Sequence, residues 1–440
     1  MSAQAHIDET TGHQRLAADP AISAFVSANA GSGKTRVLTN RVARLLLDGV
    51  SPASILCITF TKAAAAEMAD RLFKLLGGWA LADDAALTKG LNDLSGEDGR
   101  ARSPAELSRA RRLFAQALET PGGLKIQTIH SFCEGVLKRF PLEAGIPPGF
   151  SVIDAIEARR LARSAVEAVA LRIGKDRALG DAFAHLLSRV KGDVLRALLE
   201  ESVTARRRDF ALAAHDWSQS AGTVRIALSI SGEESAKAIL RRLASIRPTS
   251  DLMRARDGLD ASGGNPKRYC ADPLSRFLAA QDDEGRLAAL TKLFIKSDGS
   301  PRESFGAAAT AAIDPWIEGF LADARRDFLD QLDLYRSLLA YEDTKAFYAV
   351  VERISASYAE AKAARAALDF DDLIALTLIL LTGKNAADWV LYKLDQGLDH
   401  ILLDEAQDTG PDAWDVIERP LAEFLAGAGA RPSARTFFAV

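Results

Sequence analysis

The sequence predicts an α/β fold, a parallel β-sheet with helices on both faces, interrupted by a large all-helical insertion. Three observations lead there. Short β-rich runs alternate with helical spacing at the start of the chain, strand signals fade through its middle, and they return near residue 401. The expected segments are 1–141 and 368–440 for the two parts of the sheet domain, and 142–367 for the insertion. With 440 residues, 48% of them hydrophobic, the chain can build two or three domains with full cores.

Taken in order, Phe25-Val26 reads as the end of a first strand, and Lys34 opens a helix with Val37, Leu38, Val42, Leu45 and Leu46 on one face. Gly49 ends that helix. Ile55 to Thr59 is the next strand, followed by an Ala-rich helix from Lys62 to Leu76 that Gly77-Gly78 is expected to stop. Asp83 to Thr120 reads as a polar helical excursion, and Leu124 to Ile129 as a third strand before helical spacing returns. In the insertion, Ser262 to Pro266 and Asp298 to Pro301 are expected loops. Arg206-Arg207-Arg208 reads as a solvated helix face more than a phosphate contact. Ile401 to Leu403 and Thr436 to Val440 are the closing strands; an end on an uncovered strand gives the domain an unfinished look.

Net charge is −4, so no global basic field announces a nucleic-acid partner, although a local groove could still be basic. Cys57, Cys133 and Cys270 are far apart and lack metal-binding spacing, which points to a reduced compartment. Neither a leader-like apolar run nor a membrane-spanning one is evident, so a soluble, cytoplasmic protein without a membrane partner is expected.

The chemistry sits in two segments. Ala28-Asn29-Ala30-Gly31-Ser32-Gly33-Lys34-Thr35 fits a phosphate-binding loop, with Ala28 where the commonest form has glycine. Gly31 and Gly33 let the backbone curl and aim N–H groups at phosphate oxygens. Lys34 is placed for the β- and γ-phosphates, and the Thr35 hydroxyl for Mg²⁺. A nucleoside triphosphate also needs a carboxylate for Mg²⁺ and a group that polarises water. Asp404 and Glu405, delivered to a strand tip by Leu402-Leu403, are the candidates for those two roles.

Further motifs make the sequence resemble the UvrD/Rep/RecB-like DNA helicases of superfamily one. Gln14 matches the glutamine that reads adenine in that family; Thr59-Phe60-Thr61-Lys62 and Thr128-Ile129-His130-Ser131-Phe132 match two DNA-contact motifs. Asp404-Glu405-Ala406-Gln407-Asp408-Thr409 matches the magnesium motif, and Leu368 to Leu373 its usual lead-in. The wording around Ser27 to Thr35, Thr61-Lys62 and Ile129 to Cys133 is nearest the AddA branch, helicase–nuclease subunits of AddAB repair enzymes.

The resemblance implies a RecA-like P-loop NTPase domain, 1A, split by a 1B-like helical insertion. It also implies ATP and Mg²⁺ as cofactors, single-stranded or duplex-end DNA as substrate, and an AddB-like partner subunit. Residues 28–35 with Gln14 would bind ATP, with Lys34 and Glu405 catalytic and Thr35 and Asp404 on the metal. Gln407 and Asp408 would couple nucleotide to DNA, which Thr59, Phe60, Thr61, Lys62, Thr128, His130, Ser131 and Phe132 would contact. Phe60 offers a stacking platform and the hydroxyls offer phosphate contacts. Asp369, Asp371 and Asp372 compensate a helix dipole and receive no catalytic role.

The Gly-Asp-x-x-Gln motif that follows the closing strand in this family is missing from the sequence. A second RecA-like domain with its arginine fingers, and a nuclease domain, are not found either. An arginine finger is worth about 10³–10⁵ in rate. The chain is therefore expected to be the N-terminal portion of an ATP-driven 3′→5′ helicase, binding ATP–Mg²⁺ weakly and hydrolysing it slowly or not at all. The competing reading is a fragment that binds nucleotide, DNA or a partner without hydrolysis. An unrelated P-loop ATPase would have no use for Phe60, Lys62, His130 and Phe132.

Overall fold

The computed structural model describes residues 11–27, 33–204, 207, 217–383, 387–395, 397–426 and 435–440. The chain divides into two units, residues 1–155 with 362–440, and residues 156–361.

The first unit is built on a five-stranded parallel sheet. Its strands are β1 (Ala24–Phe25), β2 (Ile55–Thr59), β3 (Lys125–Thr128), β6 (His400–Leu403) and β7 (Thr436–Ala439), in the order β1-β7-β6-β2-β3. Two short strands, β4 (Ser151–Val152) and β5 (Ala367–Leu368), pair in parallel as a separate ribbon. Successive side chains of a strand point to opposite faces, and here both faces are apolar. Ile55, Cys57, Leu402 and Phe438 enter one core, against the helices α1 (Lys34–Leu47), α2 (Lys62–Leu81), α3 (Asp84–Ser95) and α4 (Pro104–Leu118). Leu56, Ile58, Ile401, Leu403 and Ala439 enter the other, against α5 (Ile129–Arg139) and the helices Phe370–Thr382, Ala387–Asp395 and Pro411–Ala426.

Several details depart from the sequence reading. Gly77-Gly78 does not stop α2, which runs on to Leu81. Phe114 of α4 lies 3.5 Å from where a Gly77 side chain would begin and meets Phe73 edge to face. Trp79 is buried beyond the glycine pair, so packing offsets their roughly 1 kcal/mol apiece of helix cost. Nor is 83–120 a polar excursion, because Leu87, Leu91, Leu107 and Leu113 close the same core as α1. The stretch 142–155 packs with the sheet unit: Phe150 lies in its core and β4 pairs with β5.

Asp369 and Asp372 form a buried capping box, each accepting the other's backbone N–H at 2.9 and 3.0 Å. Lys362 adds an ion pair 2.6 Å from Asp369, and a shorter one to Asp372, which neutralises charge that burial alone would not tolerate.

The second unit is helical. Its core gathers Leu252, Leu259, Leu274, Phe277, Leu293, Phe294 and Phe328, with Ile317, Leu321, Ala324, Leu332 and Leu338 of the long helix Trp316–Ala363 along it. The expected loop at Ser262 to Pro266 is instead a tight passage through Gly263, φ 64°, into a π-helical turn at Lys267–Ala271. The loop expected at Asp298 to Pro301 is present, closed by an antiparallel bridge between Ile295 and Pro301. Among the described residues, no single helix is long and apolar enough to cross a membrane.

Candidate nucleotide and nucleic-acid site

In a parallel sheet all strands end on one edge, and ligands gather there. Register places Phe25 beside Ala439, Ala439 beside Leu403, Leu403 beside Ile58, and Thr59 beside Thr128. The phosphate-loop end, the Asp404-Glu405 pair and both candidate DNA-contact segments therefore line up along a single edge.

Ala28, Asn29, Ala30, Gly31 and Ser32 lie outside the described residues, as do Arg206 and Arg208. Gly33 caps α1 with φ 86° and ψ 23°, a left-handed conformation that disfavours a β-carbon. The side-chain nitrogen of Gln14 lies 3.2 Å from where that β-carbon would sit, so Gln14 abuts the end of the loop. Lys34 and Thr35 open the first turn of α1 at a helix N-terminus suited to anions.

Opposite them, Asp404 follows β6 and donates its backbone N–H to Ile58 at 2.9 Å. Its carboxylate is 5% exposed, and one oxygen, Oδ1, is buried without a hydrogen-bond partner. Burial, then the neighbouring charge of Glu405, push its pKa up from the ordinary 3.8. Glu405 adopts φ 53° and ψ 49°, a conformation uncommon for this residue type and frequent at functional sites. Its Oε2 lies 3.5 Å from Lys34 Nζ and also accepts a short hydrogen bond from Gln407. Asp408 is exposed on the following turn.

Lys34, Thr35, Glu405, Gln407 and Val440 line a cleft of about 1100 Å³. Arg36, Arg71 and Trp414 also line it, and the sequence reading missed all three. Arg36 could have been found from its adjacency to Thr35. Arg71 and Trp414 carry no local signal, since only the packing of their helices brings them there.

Among the described residues, no group of three or more His, Cys, Asp or Glu could hold a metal unaided. One buried carboxylate with an orphaned oxygen, and a hydroxyl nearby in the fold, instead suit Mg²⁺, which takes most of its oxygens from phosphates and water.

The candidate DNA contacts separate into two kinds. Phe60 is 57% exposed beside an exposed Lys62. His130 is half-buried against the Phe370 ring at 5.1 Å. Phe132, expected as a second platform, is instead a core residue, 7% exposed and packed behind β2, because α5 turns that side inward. The Thr61 and Thr128 hydroxyls cap α2 and α5, accepting from Ala64 and Ser131 at 3.0 and 3.2 Å, and Thr59 donates to the Thr61 carbonyl. Ser131 is also tied to Thr128, at 3.0 Å between hydroxyls.

A buried arginine supports this edge from below. Arg41 of α1 donates to the carbonyls of Ala17 at 3.0 Å, Asp19 at 2.6 Å and Ile22, and to the Thr436 hydroxyl at 3.1 Å. Arg44 adds the Arg15 carbonyl at 2.9 Å. The segment that carries Gln14 is thus fixed to the helix that carries Lys34.

The sequence profile of the UvrD/REP helicase N-terminal domain matches residues 10–424. Over 423 residues the chain is 28% identical to AddA, the ATP-dependent helicase/nuclease protein of Pelotomaculum thermopropionicum, covering 87% of this chain and 30% of that protein. It is 25% identical over 422 residues to the protein of that name from Listeria monocytogenes, 88% of this chain and 31% of the other. It is also 29% identical over 167 residues to DNA helicase II of Salmonella typhimurium, 38% of this chain and 18% of that one. The chain thus spans about a third or less of these relatives.

Proposed function

The chain belongs to the UvrD/REP family of ATP-dependent DNA helicases, and from that premise we propose that it is the ATP-binding portion of an AddA-like 3′→5′ helicase acting at double-strand breaks. Residues 1–155 and 362–440 then form domain 1A and residues 156–361 a 1B-like insertion. An AddB-like subunit is the proposed partner, and the cell interior the proposed compartment.

One observation carries the reading. Lys34 and Glu405, 371 positions apart, meet at 3.5 Å over the strand tips. An ammonium and a carboxylate so placed can share a triphosphate, the first neutralising phosphate oxygens and the second polarising a water. Thr35 and Asp404 would hold Mg²⁺, which when bound neutralises the developing phosphate charge. Gln14, which abuts Gly33, would sense the base. Gln407, bonded to Glu405, would report nucleotide state together with Asp408. Phe60 and Lys62 give DNA a stacking face and a cation, and His130 a second edge.

The test is titration with a fluorescent ATP analogue and Mg²⁺, alongside DNA-stimulated ATPase. Lys34→Ala should weaken binding about 100-fold or more, roughly 2.7 kcal/mol. Glu405→Gln should bind normally and abolish whatever slow turnover the wild type shows. Nucleotide affinity indifferent to Lys34 would overturn the proposal; binding without turnover in the wild type would remove only its hydrolytic part.

A further inference from the structure

The helical unit holds a concavity of about 630 Å³, large enough for a nucleotide, lined by Arg268, Tyr269, Asp272, Arg276, Lys292, Lys296 and Arg302. Five cations face one carboxylate, in a chain whose net charge is −4. Several basic side chains around this unit are matched: Arg254 with Asp314 at 2.8 Å, Lys267 with Asp260 at 3.0 Å, Arg325 with Glu303 at 3.4 Å. Among the described residues, Arg268, Arg276, Lys292 and Lys296 have no such carboxylate, and all four are exposed. The hollow thus brings five cations together around a single lining carboxylate, Asp272.

The hollow also has an aromatic floor. Tyr269 is 44% exposed, and the guanidinium groups of Arg268 and Arg302 lie 5.5 and 5.6 Å from its ring centre. Arg302 is held in place by its Nε–H bond to the Leu293 carbonyl at 2.8 Å. The π-helical turn at Lys267–Ala271 aims this wall: Cys270 and Ala271 are buried at 2% and 1%, and Arg268 and Tyr269 are left outside. Such insertions recur where a helix presents a functional side chain. The facing wall is Lys292, near the end of the helix Asp283–Phe294, and Lys296, in the turn closed by the Ile295–Pro301 bridge.

We propose that this hollow is a second nucleic-acid contact, in which Arg268, Arg276, Lys292 and Lys296 hold phosphates of a single strand and Tyr269 with Arg302 stacks a base. Cations alone would suit any polyanion. An exposed ring beside two guanidiniums favours a strand with unstacked bases, since an acidic peptide has no flat face to lay on it. Only the choice of DNA as the polymer rests on the helicase reading.

The experiment is fluorescence anisotropy of a labelled oligothymidylate on the whole chain across a salt series. Replacing Arg268, Arg276, Lys292 and Lys296 together by Gln should lower the slope of log affinity against log salt by about 0.7 for each phosphate no longer neutralised, hence by 2 or more. Tyr269→Ala should weaken binding about fivefold or more, and Tyr269→Phe should restore it. The fluorescent-ATP affinity of both variants should equal the wild type's. An unchanged salt slope in a fourfold variant that melts like the wild type would overturn the proposal, as would equal displacement of the oligonucleotide by polyglutamate of matched charge, which would assign the hollow to an acidic protein. Phe60→Ala separates the two DNA readings. Loss there with none in the fourfold variant sinks this site alone, and the reverse leaves it standing while removing the sheet-edge track.

Discussion

Replacing Asp404 by Asn should make the free protein more stable and blunt its response to Mg²⁺–ATP. The carboxylate is 5% exposed with one oxygen orphaned, and burial together with Glu405 raises its pKa above 3.8. The folded state then holds this proton more tightly than the unfolded chain, so ionisation at neutral pH costs stability. An unpartnered buried oxygen costs on the order of 1–3 kcal/mol. The amide recovers part of that, because its own N–H groups need partners, and a gain of about 1 kcal/mol is expected, or about 2–4 °C in Tm for a unit of this size. That gain should be full above the raised pKa and fade as pH falls through it, where the wild type carries the proton itself. A ligand at 100 times its Kd stabilises by about 2.7 kcal/mol, and the variant should receive clearly less from Mg²⁺ with a non-hydrolysable ATP analogue. Calorimetry at neutral and acidic pH, with and without the nucleotide, reads both effects. A free variant that melts several degrees lower at neutral pH, or a nucleotide shift equal to the wild type's, would refute the reasoning.

Two further outcomes follow from the lower edge of the sheet. His400 is 3% exposed with Nδ1 2.8 Å from the Thr436 hydroxyl, and burial lowers its pKa from 6.5 to about 4. Its neutral form therefore contributes stability that is whole above the unfolded value and is lost as pH falls from 6.5 towards 4, by up to about 3 kcal/mol; denaturant melts of wild type and His400→Asn should diverge over that window, and parallel curves would count against it. Arg41→Met should cost about 3 kcal/mol or more by orphaning the carbonyls of Ala17, Asp19 and Ile22, and should reduce the preference for ATP over GTP by loosening the Gln14 segment. A variant equally destabilised but with base preference intact would make Arg41 merely structural.

What could be read from the sequence was whatever repeats in every phosphate-binding sheet. Short continuous apolar runs announced β2 and β6, and Gly33-Lys34-Thr35 and Asp404-Glu405 announced groups whose spacing has a chemical purpose. What could not be read depended on distant partners. The glycine pair in α2 survives because Phe114 and Trp79 pack around it, and Phe132 faces the core although it sits in a motif otherwise near the edge. Nothing in the sequence marks Arg41, since its partners are carbonyls, which no side-chain pattern reveals. Tyr269 carries no sequence signal because the helical turn that exposes it is a local widening that composition does not encode.

The position of β7 bears on how the molecule is made. Among the described residues β1, which leads into the phosphate loop, pairs only with β7, through Ala24–Phe438 and Phe25–Ala439. At about 5–20 residues per second, a ribosome needs roughly 20–80 s to deliver the second after the first. During that interval the nascent strand has an open flank and its apolar neighbours lack a cover, a state prone to mispairing with other chains. Synthesis of this protein should thus lean on chaperones that shield emerging segments, and slowing translation near residue 400 should lower its soluble yield.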